Sequence, residues 1–395
     1  MFLDPLCRRN PKFIQTVVEL HQQGELRPNS FILDYDTIKD NVILISEEAI
    51  RLGLTIYPMT KQIGRNPAVL ELLKRMGCSK IVAVDWMGAL QIAAQGGDVG
   101  HVGHLVQVPK TETKSIARLR PEVWTVFSYE KAKEISNAIF KTNYTQNLLI
   151  RVWQQGDTFY PGHEGGVQLE QLIETADRIN SLPQIKVVGV TSFPCMLYDE
   201  NQKKLFTIKN MDTISEAAEL LRNHGYTIEQ INAPGTTSTI ALEALAKKGT
   251  THVEPGHGMT GTTPTHAFND LPEKPAILYL SEVSHSYGEY AYFYGGGLYI
   301  DPVFSTYPVK ALLGRDADTI FDNRYEAKLP DPSSIDYYGM IKANSTSIRN
   351  GDTVILGFRA QVFHTRGRVS VIEGIKSGIP KVLGIWDAMG HCIGS

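Results

Sequence analysis

Two rhythms of apolar and polar positions take turns along the first two thirds of this chain. Short runs that are apolar on both faces read as buried strands: SFILD at 30–34, LTIYPM at 54–59, KIVAV at 80–84, EVWTV at 122–126, NLLIRVW at 147–153 and KVVGVT at 186–191. Between them apolar residues recur every three or four positions, as in TIKDNVILISEEAIRLG at 37–53, YEKAKEISNAIF at 129–140 and QLEQLIETADRINSL at 168–182. Strand and helix alternate about every 30 residues, which is the length of a βαβ unit. Strands buried on both faces predict a parallel sheet covered by helices. Eight or so units favour a closed (β/α)8 TIM barrel over an open sheet. No GxGxxG follows the first strand, so a dinucleotide-binding sheet is set aside.

The texture changes near residue 272. Stretches such as AILYLSEVSHSYGEYAYFYGGGLYIDPVFS and TVILGFRAQVFHTRGRVSVIEG are rich in β-branched and aromatic residues with glycine turns, and helical spacing disappears. A compact antiparallel β domain of about 120 residues is predicted there. The expected organisation is a helical lead-in at 1–28 packing on the β domain, a barrel over 29–268 with 30–34 as its opening strand, and the β domain over 269–395.

Composition narrows the function classes. Apolar residues make up 42% and charged residues 21%, an ordinary globular balance, and the net charge of −3 gives no basic footprint for nucleic acid. No apolar run approaches the roughly 20 residues that span a bilayer. MFLDPLCRRNPK lacks a signal-peptide core, and Cys7, Cys78, Cys195 and Cys392 show no CxxC spacing. A reducing cytoplasm is therefore the expected setting, with no disulfide framework.

Three stretches carry candidate chemistry. In IYPMTKQIGRNP (56–67), Lys61 follows an apolar run whose Tyr57 and Met59 would wall its stem. A desolvated amine at a barrel mouth forms Schiff bases readily; a strand-end lysine reaching to solvent is the plain alternative. NAPGTTST (232–239) follows a strand and opens a helix, so Gly235, Thr236 and Thr237 could hold a phosphate, with Asn232 a further cofactor-binding candidate, or the serines and threonines could simply cap the helix. In THVEPGHGMTGTTP (251–264), Glu254 would sit at the mouth beside Gly256 and His257, where a buried carboxylate needs a cationic partner or forms an ion pair with an arginine. A lysine, a phosphate loop and a carboxylate in this order describe a site for pyridoxal 5′-phosphate, with the carboxylate on the pyridine nitrogen. His104 could meet the cofactor's phenolic oxygen or be a satisfied core histidine.

Here the sequence resembles the alanine-racemase-type (fold type III) pyridoxal phosphate enzymes, over nearly the whole chain. FILDYDTIKDNV resembles the family's opening strand, Lys61 stands at the cofactor lysine, and Arg65 stands where alanine racemases place a phosphate-binding tyrosine. GVTSFP is similar to the family's Gly-x-x-Thr-His-Phe strand, with Ser192 at the position of the histidine. AYFYGGG is similar to the turn that carries the second acid/base, which implies that role for Tyr294 in a partner subunit's site. MTKQ-GRNP, EPGH and SSIDYY resemble the YhfX-like branch, and Asp336, Tyr337 and Tyr338 are candidates to read substrate or to line an interface.

Departures from the pattern matter as much. Alanine racemases have arginine where Glu254 stands; Glu-Pro-Gly is similar instead to the ornithine and diaminopimelate decarboxylases. Related D-serine dehydratases carry a zinc pair where Gln361 and Phe363 stand here, so no metal is expected. YPGHEGGV replaces the arginine-bearing strand end of alanine racemase. The resemblance implies a head-to-tail homodimer and an amino-acid racemase in which Lys61 and Tyr294 serve opposite faces of an external aldimine. Arg359 and His364 are candidate cations for Tyr294. Decarboxylation, lyase chemistry on a β-hydroxy amino acid, and a non-catalytic cofactor carrier are the alternatives.

Overall fold

The structure, a computed structural model, describes residues 1–299, 308–330, 335–342 and 348–394. The chain forms two compact units: Met1–Leu44 with Lys61–Val69 and His257–Ser395, and Ile45–Thr60 with Leu70–Gly256.

The second unit is a parallel barrel of eight strands. Thr55–Ile56, Lys80–Ala83, Asp98–Val102, Val123–Val126, Gln146–Trp153, Ile185–Thr191, Gln230–Asn232 and His252–Val253 lie in chain order around it, and the last pairs back onto the first. A single bridge between Met59 and Val82, with Val82 N–H donating to Pro58 O at 3.0 Å, spans the remaining gap. The interior is filled by Tyr57, Met59, Val82, Val123, Leu149 and Val188. Gly189 is required where two strands close up, because a Cβ there would lie 1.9 Å from the Gln230 carbonyl oxygen. Outer helices bury one stripe each: Leu172–Asn180 turns Leu172, Ala176 and Ile179 inward. Ser128 caps Tyr129–Ile139 by accepting from Lys131 N–H, and Asp85 caps Trp86–Ala94 from Gly88 N–H. A hairpin of Met196–Asp199 and Lys204–Thr207, not anticipated from the sequence, follows the sixth barrel strand.

The first unit is built on a ten-stranded sheet. Six of its strands, Ile277–Tyr287, Tyr290–Tyr294, Tyr338–Lys342, Arg324–Lys328, Val309–Gly314 and Thr353–Leu356, close on themselves by antiparallel pairing. Ser30–Asp34, expected as a barrel strand, belongs here instead: it pairs antiparallel with Ile277–Tyr287 and parallel with Arg368–Glu373. All five of its residues are buried, and a strand covered on both faces reads alike in a barrel and in the middle of an antiparallel sheet. The boundary expected at 268 falls between Gly256 and His257. Helices Leu3–Arg9 and Pro11–Gln22 pack Leu3, Leu6, Phe13, Ile14, Val17 and Val18 into one cluster with residues of this sheet. Among the described residues no helix is long and apolar enough to cross a membrane.

Candidate active site

Parallel strands of a barrel bring their C-terminal ends to one mouth. Here those ends gather Asn232, Glu254, His101, His104, Thr125, Thr191 and Ser192, all buried. His101 Nδ1 lies 2.6 Å from Glu254 Oε1, and the Asn232 amide donates to the same oxygen at 3.1 Å. His104 Nε2 lies 3.1 Å from Oε2, and Thr191 Oγ1 donates to Asn232 Oδ1 at 3.2 Å. The other ring nitrogen of His101 meets Thr125 Oγ1 at 2.6 Å. Burial alone would push the Glu254 carboxyl up; the imidazoles of His104 and His101 and the Asn232 amide outweigh it and hold it below the usual range. The partners of the Glu254 carboxylate are thus two histidines and an asparagine, not an arginine. Asn232, a cofactor-binding candidate, donates its amide to this carboxylate.

Three ligand atoms of His101, His104 and Glu254 fall within 4.8 Å of one another, a set that could hold a metal ion. Two ligands on one tetrahedral zinc stand about 3.3 Å apart, given bonds of about 2.0 Å. The 2.6 Å separation of His101 and Glu254 is too short for that and suits a shared proton.

Gly235 and Thr236 take consecutive left-handed conformations, φ +128° and +40°, a turn of the kind that exposes backbone N–H groups to an anion. Ser238 stands at the N-cap of Thr239–Ala246, yet its hydroxyl makes no cap bond and, though buried, has no partner among the described residues. Thr237 folds back onto Gly235 O at 3.3 Å. Ser192 is held by the Asn210 amide at 3.4 Å, and Gly256 is buried at the end of this unit.

Arg151 was not singled out from the sequence, although an arginine inside NLLIRVW is an anomaly of the kind that marks a special site. Its side chain is fully buried between the rings of Phe127 (4.7 Å) and Phe159 (5.6 Å). It donates to the carbonyls of His104 at 2.8 Å and Phe193 at 3.3 Å, and to that of His163, so it clips together loops after three strands. Burial brings its pKa down to about 10.

The other candidates lie in the first unit. Lys61 opens the short helix Lys61–Ile63, with Nζ 5.2 Å from the centre of the Phe363 ring; the guanidinium carbon of Arg65 lies 5.5 Å from the same ring. Arg65 is buried with φ +51°. His257, a cofactor-binding candidate, has both ring nitrogens engaged within this unit. Nε2 donates to Ala360 O at 2.9 Å, and Nδ1 faces Arg359 Nη2 at 3.2 Å and Gln62 Nε2 at 3.4 Å. Burial, then Arg359, keeps this ring neutral well below its ordinary pKa.

Tyr294 ends its strand opposite Tyr338, ring centres 5.9 Å apart, and both line a cavity of about 590 Å³ with Tyr337, Arg366 and Arg368. Arg366 holds Asp336 at 2.7 Å and covers the Tyr337 ring at 5.8 Å. Tyr294, Asp336, Tyr337 and Tyr338 thus meet on one surface; Ser333 and Ser334 of the SSIDYY stretch lie outside the described residues. The cations lining the cavity with Tyr294 are Arg366 and Arg368. The two expected ones sit elsewhere: Arg359 is on His257, and His364 packs on Phe363 at 3.9 Å and Tyr299 at 4.9 Å.

Residues 33–264 match the alanine racemase N-terminal domain family, and residues 278–382 match the YhfX-like C-terminal domain. The "uncharacterized protein YhfX" of Escherichia coli K12 is 38% identical over 395 residues, covering 100% of both chains. Among solved structures, D-threonine aldolase from Filomicrobium marinum superposes with a TM-score of 0.68 at 15% identity, covering 92% of this chain and 96% of that one. D-threo-3-hydroxyaspartate dehydratase from Delftia sp. HT23 gives 0.67 at 14%, covering 92% and 97%. Alanine racemase of Clostridium difficile 630 with cycloserine gives 0.62 at 16%, covering 91% and 98%. At these identities the structures establish the shared fold alone.

Proposed function

The chain belongs to the family defined by the alanine racemase N-terminal domain, completed by a YhfX-like C-terminal domain, and from that premise we propose that it is a pyridoxal 5′-phosphate enzyme that racemises an amino acid. The observation that carries this reading is the state of Glu254. Its carboxylate is held ionised, Oε1 is filled by His101 and Asn232, and Oε2, buried and 3.1 Å from His104 Nε2, takes no hydrogen bond of good geometry from the described residues. Such an oxygen suits a protonated ring nitrogen. The Ser238 hydroxyl, which has no partner among the described residues and lies beside the left-handed Gly235–Thr236 turn, suits a phosphate in the same way.

Pyridoxal phosphate, when bound, supplies an electron sink for charge developing at a substrate α-carbon. In this proposal Glu254 keeps a proton at the ring nitrogen, and the backbone at 235–237 with Ser238 holds the phosphate. Lys61 would hold the cofactor, and its free amine would remove or return the α-proton on one face of the substrate, with Tyr294 of the partner subunit serving the other. Arg366 and Arg368 give that tyrosine a cationic setting.

A second reading, lyase or dehydratase chemistry on a β-hydroxy amino acid, is favoured by the same Glu254, because a protonated ring is a stronger sink than racemisation needs. The structural likeness to D-threonine aldolase and to D-threo-3-hydroxyaspartate dehydratase supports it. One experiment separates the two. The protein is loaded with pyridoxal phosphate, and single enantiomers of plain and β-hydroxy amino acids are followed by NMR in deuterium oxide. Deuterium entering at the α-carbon with inversion supports racemisation; aldehyde or ammonia release supports the lyase. A protein that takes up no borohydride-reducible cofactor sinks both.

A further inference from the structure

A line of three buried groups lies behind Glu254 in the barrel: Thr125, His101 and the Glu254 oxygen Oε1. They come from the strands Val123–Val126 and Asp98–Val102 and from the residue after His252–Val253. Thr125 and His101 are both fully shielded from solvent. Each contact in the line is 2.6 Å long, and together they use both nitrogens of His101. Asn232, itself steadied by Thr191, donates a second time to Oε1. A carboxylate gripped twice through one oxygen cannot rotate without breaking both contacts, each of which is costly to leave unmade in a buried site.

We propose that His101 is a positioning residue: seated by Thr125, it pins Oε1 of Glu254 so that Oε2 is the oxygen presented to the cofactor's ring nitrogen. This rests on the cofactor reading above. The ionised Glu254 carboxylate can only accept, so it is Nδ1 that carries a proton toward it, while Nε2 meets the Thr125 hydroxyl. The titratable groups around His101 are Glu254, His104, His252 and Tyr57.

The test uses Thr125→Val, which keeps the packing shape and removes the hydroxyl, with Thr125→Ser as the restoring variant and His101→Asn as a second probe. In the protein without cofactor, ¹⁵N NMR of the imidazoles reads the line directly. The His101 Nδ1 proton is expected to exchange slowly in the wild type, faster in Thr125→Val, and to vanish from that environment in Glu254→Gln. A His101 Nδ1 proton that exchanges at the same rate in the wild type, Thr125→Val and Glu254→Gln overturns the proposal. With pyridoxal phosphate added, Thr125→Val and His101→Asn are expected to bind it roughly tenfold more weakly, with a visible spectrum that becomes pH-dependent, while Thr125→Ser behaves as wild type. Unchanged affinity and spectrum in Thr125→Val overturn the positioning role and leave the cofactor reading standing. No uptake by the wild type overturns both.

Discussion

The ammonium of Lys61 lies over the ring of Phe363, 5.2 Å from its centre, and Arg65 shares that ring at 5.5 Å. A cation over an aromatic face gains about 0.5–1 kcal/mol or more when shielded from water. Phe363→Leu removes the face beneath two cations at once. It is expected to weaken capture of pyridoxal phosphate at Lys61 by roughly three- to tenfold, whereas Phe363→Tyr retains it. Spectroscopic titration of the two variants checks this, and equal affinities would show the ring to be packing alone.

His257 and His252 set an acid limit on stability. Burial holds both neutral in the folded chain, His252 down to about 4 and His257 well below 6.5. Unfolded, each takes a proton below about 6.5, so the unfolded state binds more protons there and stability falls as the pH drops. The slope is about 1.4 kcal/mol per pH unit for each histidine. His257→Gln, able to face both Ala360 O and Arg359, should flatten the acid side of a melting-temperature profile below about pH 6.5. An unaltered profile would count against a neutral His257.

Glu254 has the opposite chemistry but the same direction. Its carboxyl titrates below 4.5 in the folded chain, so its stabilisation is complete above 4.5 and is lost as the pH falls through the lower folded value. Glu254→Gln should therefore cost more stability at neutral pH than in acid, as read by urea unfolding at both.

Arg151 donates to carbonyls in three loops, and Arg151→Met leaves those acceptors buried without donors. A cost of about 2–4 kcal/mol is expected, with a melting temperature lower by roughly 5–15 °C. Arg151→Lys should fall nearly as far, since a single ammonium does not reproduce the planar fork. A loss under about 1 kcal/mol in calorimetry would contradict the clip.

Tyr294→Phe separates the two proposed bases. It should slow racemisation by about 10²–10⁴-fold while leaving α-deuterium exchange on the Lys61 side for one enantiomer. Loss of both exchanges together would assign Tyr294 to binding instead. Arg366→Ala, which also frees Asp336, should show a milder loss with an altered pH profile.

Much of the architecture was legible because its signals are local. Apolar runs such as KIVAV and helices such as QLEQLIETADRINSL announce a parallel barrel by themselves, and the glycine-rich, aromatic texture after residue 272 announces a sheet. The misplaced strand, Ser30–Asp34, failed for a reason that lies in the pattern: full burial erases the alternation that would have told one sheet from another. In the site, residue types were readable and pairings were not. Lys61 and Phe363, His257 and Arg359, and Tyr294 and Arg366 are each far apart in sequence, so only the fold reveals who neighbours whom. Arg151 was discernible as a charge in an apolar strand, and its three carbonyl partners were not.

The seat of Ser30–Asp34 between Ile277–Tyr287 and Arg368–Glu373 has a consequence for how the molecule is born. This strand leaves the ribosome before the barrel segments, and both of its neighbours follow only after them. At about 5–20 residues per second it waits on the order of tens of seconds for them. The barrel segments between, Ile45–Thr60 and Leu70–Gly256, have all emerged before the second neighbour exists. The barrel is therefore free to fold during synthesis, while an apolar strand from the other unit remains exposed, the species a chaperone would meet. A nascent chain stalled far enough beyond Gly256 for that residue to have cleared the exit tunnel should accordingly be protease-resistant over its barrel and sensitive over residues 1–44.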